Sequence, residues 1–253
     1  MKNTLHLLPI ATLLLLFACG SPNNDARLGS NTLIQAHRAI SVKLDGRPYD
    51  DIWKKSEWHP IDQRWLGPEF LPEDFAGRYK VAWTYDQVYL LVETTDDVFV
   101  EKIKNGLERY WDDDCLEIFI DEDRSGGNHQ YNHQAFAYHV SMKHDVTDMG
   151  MDSIPHYYNE HVTTIHTRNA NTITWELAIY VYDKSFRDGP ALNVPVRLAH
   201  GKKLGFALAY CDNDYSEERE NFIGSVFIPG EDKNRGWIDA GVKPGKAPGG
   251  FAH

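Results

Sequence analysis

The sequence is short of cysteine, of positive charge and of long apolar runs, and each shortage narrows what it can be. There are three cysteines in 253 residues, too few for a disulfide framework. Lysine and arginine together number 26 against 37 acids, a formal net charge of −11. Such a surface repels nucleic acid and anionic lipid, so neither is expected as a partner, while neutral ligands stay open. The one long apolar run is Leu7–Ala18, too short to span a bilayer. There is no P-loop, no Gly-rich dinucleotide turn, no EF-hand spacing and no C-x-x-C-H for covalent haem. No internal repeat and no sustained helical period is visible.

What is present begins with a targeting segment. Lys2, the Leu7–Ala18 run and Leu16-Phe17-Ala18-Cys19-Gly20 read as a signal peptide over residues 1–19. Its end resembles the lipobox of bacterial lipoproteins, with Cys19 as the lipidated residue, although Phe17 is bulkier than that pattern prefers. The expected location is the bacterial cell envelope, lipid-anchored, at the outer membrane rather than the inner. The alternative is a secreted or periplasmic chain. Residues 20–35, polar with Pro and Gly, read as a flexible tether. Residues 36–253 then form one domain.

Alternation organises that domain. Leu116, Ile118 and Ile120 share one parity; Cys115, Glu117, Phe119 and Asp121 share the other. This is a strand with one buried face. Trp111 and three acids, Asp112 to Asp114, precede it. Their mutual repulsion places the acids in a solvated loop or beside a cation. Phe136–Met142, Thr172–Tyr182 and Leu204–Asp212 alternate in the same way, and 79–84 with 88–94 read as a hairpin. Ile40–Leu44 reads as a short strand, Tyr49–Trp58 as a helical turn with Trp53 plugging the core, Trp65–Phe75 as a loop, and Val98–Tyr110 as room for a short helix. At least eight short strands predict an all-β, antiparallel sandwich of jelly-roll or immunoglobulin-like form.

Parity also proposes a face. Its non-core side carries Cys115 and Glu117, then His139 and Ser141, then Ala207, Ala209 and Cys211. If these strands are neighbours, they make a shallow floor of small and polar groups, with Trp111 and Trp237 on loops at its rim. An aromatic ring beside fixed polar groups suits a sugar. The competing reading is a solvent-exposed sheet with two unrelated tryptophans. Cys115 and Cys211 share the face and are expected as free thiols. His129 and His133 are four apart, but Gly126 and Gly127 argue against a helix, so a loop pair is expected rather than a zinc site.

Six stretches in order resemble carbohydrate-binding module family 9, within the DOMON-like sandwiches. They are Leu44-Asp45-Gly46 with Ile52-Trp53, Tyr79–Asp97, Trp111–Asp121, Trp175–Ile179, Leu204–Asp214 and Gly236–Asp239. The resemblance implies non-catalytic carbohydrate binding in the service of carbohydrate catabolism. It also implies a sugar end stacked between Trp111 and Trp237, with Glu117 hydrogen-bonding it. His139 stands where the family has an arginine, Ser141 where it has an asparagine and Ala209 where it has a glutamine. Structural calcium is implied, with Asp96/Asp97, Asp112–Asp114 and Asp121–Asp123 as oxygen-rich clusters. The partners implied are a mono- or oligosaccharide, with glycan-uptake or degradation proteins as neighbours. Two other readings compete. A glycoside hydrolase acting on O-glycosyl bonds needs a second carboxyl roughly 5–10 Å from Glu117. A haem-binding electron carrier would draw on His139, Met142 and Met149.

Overall fold

Strands dominate because β-branched and aromatic residues alternate wherever the chain is not turning. The protein is described by a computed structural model over residues 33–126, 129 and 131–228, with the backbone of 250–252. Cys19, the tether up to residue 32, and Trp237 lie outside the described residues. The elements in chain order are β1 (Leu33–Gln35), β2 (His37–Arg38), α1 (Asp51–Lys55), β3 (His59–Ile61), β4 (Gln63–Leu66), β5 (Phe75–Trp83), β6 (Val88–Asp96), β7 (Cys115–Asp121), β8 (Phe136–Ser141), β9 (Val146–Met149), β10 (Pro155–Tyr157), β11 (Val162–Asn169), β12 (Thr172–Ile179), β13 (Lys203–Asp212), β14 (Asn221–Gly224) and β15 (Gly250–Ala252).

They form two sheets. One runs β1-β15-β13-β7-β8-β9-β10, with β14 pairing β13 and β4 at its side. The other runs β11-β12-β6-β5-β2, with β3 also on β5. Pairing is antiparallel except for β1 with β15 and β2 with β5. The expected hairpin is β5–β6, closed by Thr84, whose N–H donates to Gln87 O at 2.9 Å.

The inward parity set of each strand meets that of the other sheet. Leu116, Ile118 and Ile120 join Phe136, Tyr138 and Val140, Phe206, Leu208 and Tyr210, and, from the second sheet, Val81, Leu90, Val92, Trp175 and Leu177 in one core. Each such side chain contributes roughly 1.5–3 kcal/mol when fully buried. This is the expected antiparallel β-sandwich.

The outer face of the second sheet is covered too. Ile52 and Trp53 of α1 pack on Ala82, Tyr89, Leu91 and Ala178. The Trp53 indole donates to Glu176 Oε1 at 3.3 Å, and Glu176 Oε2 accepts from the N–H groups of Asp45, Gly46 and Arg47 at 3.1, 2.8 and 3.2 Å. One carboxylate therefore ties the Asp45-Gly46 turn to the tryptophan. Gly46 has φ of +72°, and a Cβ there would sit 2.5 Å from Thr167 Cγ2, so glycine is required.

Three local expectations need correction. Residues 40–44 form no strand; Ile40 is exposed, while Val42 and Leu44 lean on the α1 cluster. Trp65 is not in a loop but in β4, and it is buried. Residues 98–110 form turns rather than a helix, because the acids that follow take their backbone donors. Val100 N–H donates to Asp114 Oδ2 and Ile103 N–H to Asp113 Oδ2, both at 2.6 Å.

Candidate functional site

β7 is the centre of the candidate site because β13 and β8 flank it. Glu117 faces His139 on one side and Ala209 on the other; Cys115 faces Ser141 and Cys211. The strands chosen by parity are thus neighbours, and Glu117, His139 and Ser141 come together.

The floor they make is not open. Cys115, Ala207, Ala209 and Cys211 belong to a second apolar cluster with Trp65, Phe119, Phe222, Val226 and Ile228. Trp65 caps it, donating its indole N–H to Val226 O at 2.8 Å, and its ring lies so close to Gly224 that a Cβ there would be 2.1 Å away. Glu117 keeps 5% and His139 9% of their surface. The expectation of a shallow exposed floor is therefore corrected: β4 and residues 226–228 fold back over this face. A strand buried on both sides shows the same alternation as one buried on a single side whenever its second face holds small and polar residues.

Trp111 is exposed, at 38%, in the turn before β7. Its ring meets Tyr110 edge-on at 4.8 Å, and Tyr110 meets His139 edge-on at 4.7 Å. His139 Nε2 is 3.0 Å from Glu117 Oε2. An aromatic surface is thereby coupled through Tyr110 to a buried ion pair. A cavity of about 30 Å³ lies between Tyr110, Asp113, Cys115, His139, Ser141 and Lys143, room for a water and too little for a pyranose or a haem. Ser141 Oγ accepts from the N–H groups of Lys143 and Asp145 at 3.2 and 3.1 Å, holding the turn after β8.

The electrostatics of the cluster are cooperative. Burial opposes the ionisation of Glu117, but His139, Arg219 and His129 outweigh it and hold the carboxyl below its usual range. Burial opposes the protonation of His139 as well, yet Glu117 and Cys211 raise its pKa to about 10. Arg219 Nη1 lies 3.2 Å from Cys211 Sγ and 3.9 Å from Glu117 Oε2. Cys115 and Cys211 are both free and buried. His129 acts on Glu117, whereas His133 Nε2 pairs with Asp188 Oδ2 at 2.9 Å, so the two loop histidines serve different places. Tyr110, Trp65 and Arg219 pack on or pair with this cluster without having been singled out from the sequence; an arginine in an acid-rich loop carries no periodic signal.

The acids divide in two. Asp112, expected in a solvated loop or beside a cation, is buried and pairs with the Arg109 guanidinium, accepting from Arg109 Nε at 2.8 Å and from Arg219 N–H at 3.1 Å. Asp121 holds the turn to Gly126, whose N–H donates to Oδ2 at 2.8 Å. Asp96, Asp114 and Asp212 converge instead, wholly buried, with carboxylate oxygens within 4.8 Å of one another. Burial, reinforced by neighbouring acids, raises their pKa values to about 7, 9 and 8. Asp74, Asp97 and Asp214 form a similar group nearer the surface. Crowded all-oxygen donor sets of this kind, whose burial disfavours charge until a cation offsets it, fit a hard divalent cation such as calcium. Asp96, Asp114 and Asp212 would hold it, tying β6, the turn before β7 and the end of β13.

Two sheets packed on one apolar core define an all-β sandwich domain. Residues 44–242 match the model of the carbohydrate family 9 binding domain-like family, and the chain belongs to that family. Its fold is similar to that of a carbohydrate binding module family 9 from Caldicellulosiruptor kristjanssonii, solved in complex with glucose. The TM-score is 0.59 at 17% identity, covering 87% of this chain and 95% of that one. The cellotriose complex of that module gives 0.58 at 17% identity, covering 86% and 92%. A candidate carbohydrate-binding protein from Bacteroides uniformis gives 0.53 at 11% identity, covering 87% and 97%. A search of curated protein sequences found no match.

Proposed function

We propose that this protein binds the end of a soluble mono- or oligosaccharide without cleaving it, stacking the sugar on Trp111. The observation that carries the reading is an exposed indole braced by Tyr110 against the buried His139–Glu117 pair. An aromatic plane held in one orientation offers the C–H face of a pyranose a surface at little entropic cost. Trp237, outside the described residues, is the second wall of this reading. Glu117 and His139 act from beneath, fixing Tyr110, rather than by taking a hydroxyl themselves, since each is already paired and nearly sealed. Ser141 sets the neighbouring turn.

Family membership and the glucose- and cellotriose-bound modules of similar fold support glucose-type sugars as first ligands. Glu117, the carboxylate under the rim, is buried and ion-paired with His139 rather than facing a cleft, which supports binding over glycoside hydrolysis, whose two carboxyls flank the scissile bond. In the cell the protein is a lipid-anchored envelope component that passes sugars to uptake or degradation proteins. Calorimetry with glucose, cello-oligosaccharides and a broad panel of soluble glycans tests this. Binding by the wild type and its loss in Trp111→Ala are expected. No binding across the panel, or equal binding by the variant, sinks the reading.

A further inference from the structure

The polar centre beneath Tyr110 has a composition that sugar binding does not call for. Across three adjacent strands it sets a carboxylate, an imidazole and a thiol against one another: Glu117 on β7, His139 on β8 and Cys211 on β13. Their ligand atoms all lie within 4.8 Å of one another, and all three residues are buried. Cys115, opposite Cys211 in the register, hydrogen-bonds to it through sulfur.

We propose that Glu117, His139 and Cys211, with Cys115 as fourth donor, form a tetrahedral site for a divalent transition metal of the zinc class.

Three observations support it. The first is distance. Zinc bonds of about 2.0 Å to nitrogen and oxygen and about 2.3 Å to sulfur imply tetrahedral edges of about 3.3 Å for N···O and about 3.5 Å for S···O. His139 Nε2 and Glu117 Oε2 are 3.0 Å apart, and Cys211 Sγ is 3.9 Å from the same oxygen. Shifts of a few tenths of an ångström bring these two contacts to tetrahedral edges; Cys115, whose thiol donates to Tyr110 O at 3.6 Å and which stands outside the close triad, joins by turning from that carbonyl.

The second is orientation. His139 Nδ1 lies 3.2 Å from Ala137 O. A carbonyl only accepts, so Nδ1 carries the proton and donates, which leaves Nε2 for the metal. That backbone contact is the usual device for fixing a metal-binding histidine.

The third is charge. Two thiolates and Glu117 bring three negative charges; the metal and the Arg219 guanidinium, 3.2 Å from Cys211 Sγ, bring three positive. Binding balances when the proton on Cys115 and the Nε2 proton of His139 leave as the metal enters. Sulfur and imidazole donors select zinc, cobalt or copper over calcium, so this site and the all-aspartate cluster take different ions.

The test is cobalt binding to the full chain, stripped with chelator and then held in excess calcium. One equivalent of Co²⁺ is expected to bind, with intense tetrahedral d–d bands and a sulfur-to-cobalt charge-transfer band, and Zn²⁺ is expected to displace it. Cys211→Ser should abolish the charge-transfer band or weaken binding by at least about tenfold, and His139→Ala should weaken it similarly. If Cys211→Ser does not fold, the wild-type spectrum decides alone. No Co²⁺ bound beyond the calcium-protected sites, a bound spectrum without a thiolate band, or mapping of Cys115 and Cys211 as a native disulfide overturns the proposal. Sugar binding is not part of the readout, so failure here leaves the carbohydrate reading standing.

Discussion

Tyr110 stands edge-on against His139 with ring centroids 4.7 Å apart, and its other side meets Trp111 at 4.8 Å. The exposed ring of the candidate site is therefore set by a residue that is itself set by a buried imidazole. Trp111→Ala should weaken sugar binding by about tenfold or more, since it removes a stacking surface together with its buried area. Tyr110→Leu should weaken it by less, through a looser indole. Tyr49→Ala, on an exposed residue preceding α1 on the other sheet, should leave affinity unchanged. Calorimetry on the three variants checks the order; a Tyr49 effect as large as that of Trp111 would refute it.

Calcium should stabilise the sandwich through Asp96, Asp114 and Asp212. At a hundredfold excess over Kd a ligand adds about 2.7 kcal/mol, which for a domain of this size is a rise in Tm of about 5–10 °C. Chelation should reverse the rise, and Asp114→Asn should shrink it. Thermal melts with and without calcium are the measurement, and identical melts would remove the cation from this cluster.

Acid should act through His161. It is buried, its Nδ1 lies 2.8 Å from the Tyr138 hydroxyl, and its pKa falls to about 3, burial being the main cause and His133 adding to it. The folded state thus binds fewer protons than the unfolded one between that value and the ordinary 6.5. Its contribution is fully present above about pH 6.5 and is lost as the pH falls toward 3, at up to about 1.4 kcal/mol per pH unit. Urea unfolding from pH 7 to pH 4 should show this slope, and His161→Phe should flatten it. An unchanged acid limb in the variant would assign the loss elsewhere.

Glu176 should be worth more than an ordinary strand residue. It satisfies three backbone donors and the Trp53 indole at once. Glu176→Ala orphans all four and should cost about 3 kcal/mol, with the Asp45-Gly46 turn losing hydrogen-exchange protection first. A change under about 0.5 kcal/mol, the usual range for surface substitutions, would mean water replaces the carboxylate.

Cys19 should carry the anchor. Cys19→Ser is expected to leave the membrane fraction and to change the processing of the chain. Unchanged partitioning and processing would mean ordinary secretion.

Periodicity by itself determined the inward residues of β7, β8, β12 and β13, and hence the sandwich. A strand must turn alternate side chains to one face, and only apolar ones can be buried there cheaply. The order of short motifs likewise determined the family, and the expectation that β7, β8 and β13 share a face rested on parity alone. What parity does not carry is what lies over the second face. Trp65 and residues 226–228 cover it from distant parts of the chain, and that cover turned an expected open floor into a buried one, sealing Glu117 and His139. The acids of 112–114 show the same division. Their repulsion was legible, but whether water, a cation or backbone N–H groups answer it depends on where residues 98–103, 213 and 219 fold. Apart from Arg109, three residues before Asp112, those partners lie ten or more residues away, and the local pattern of side chains holds no record of them.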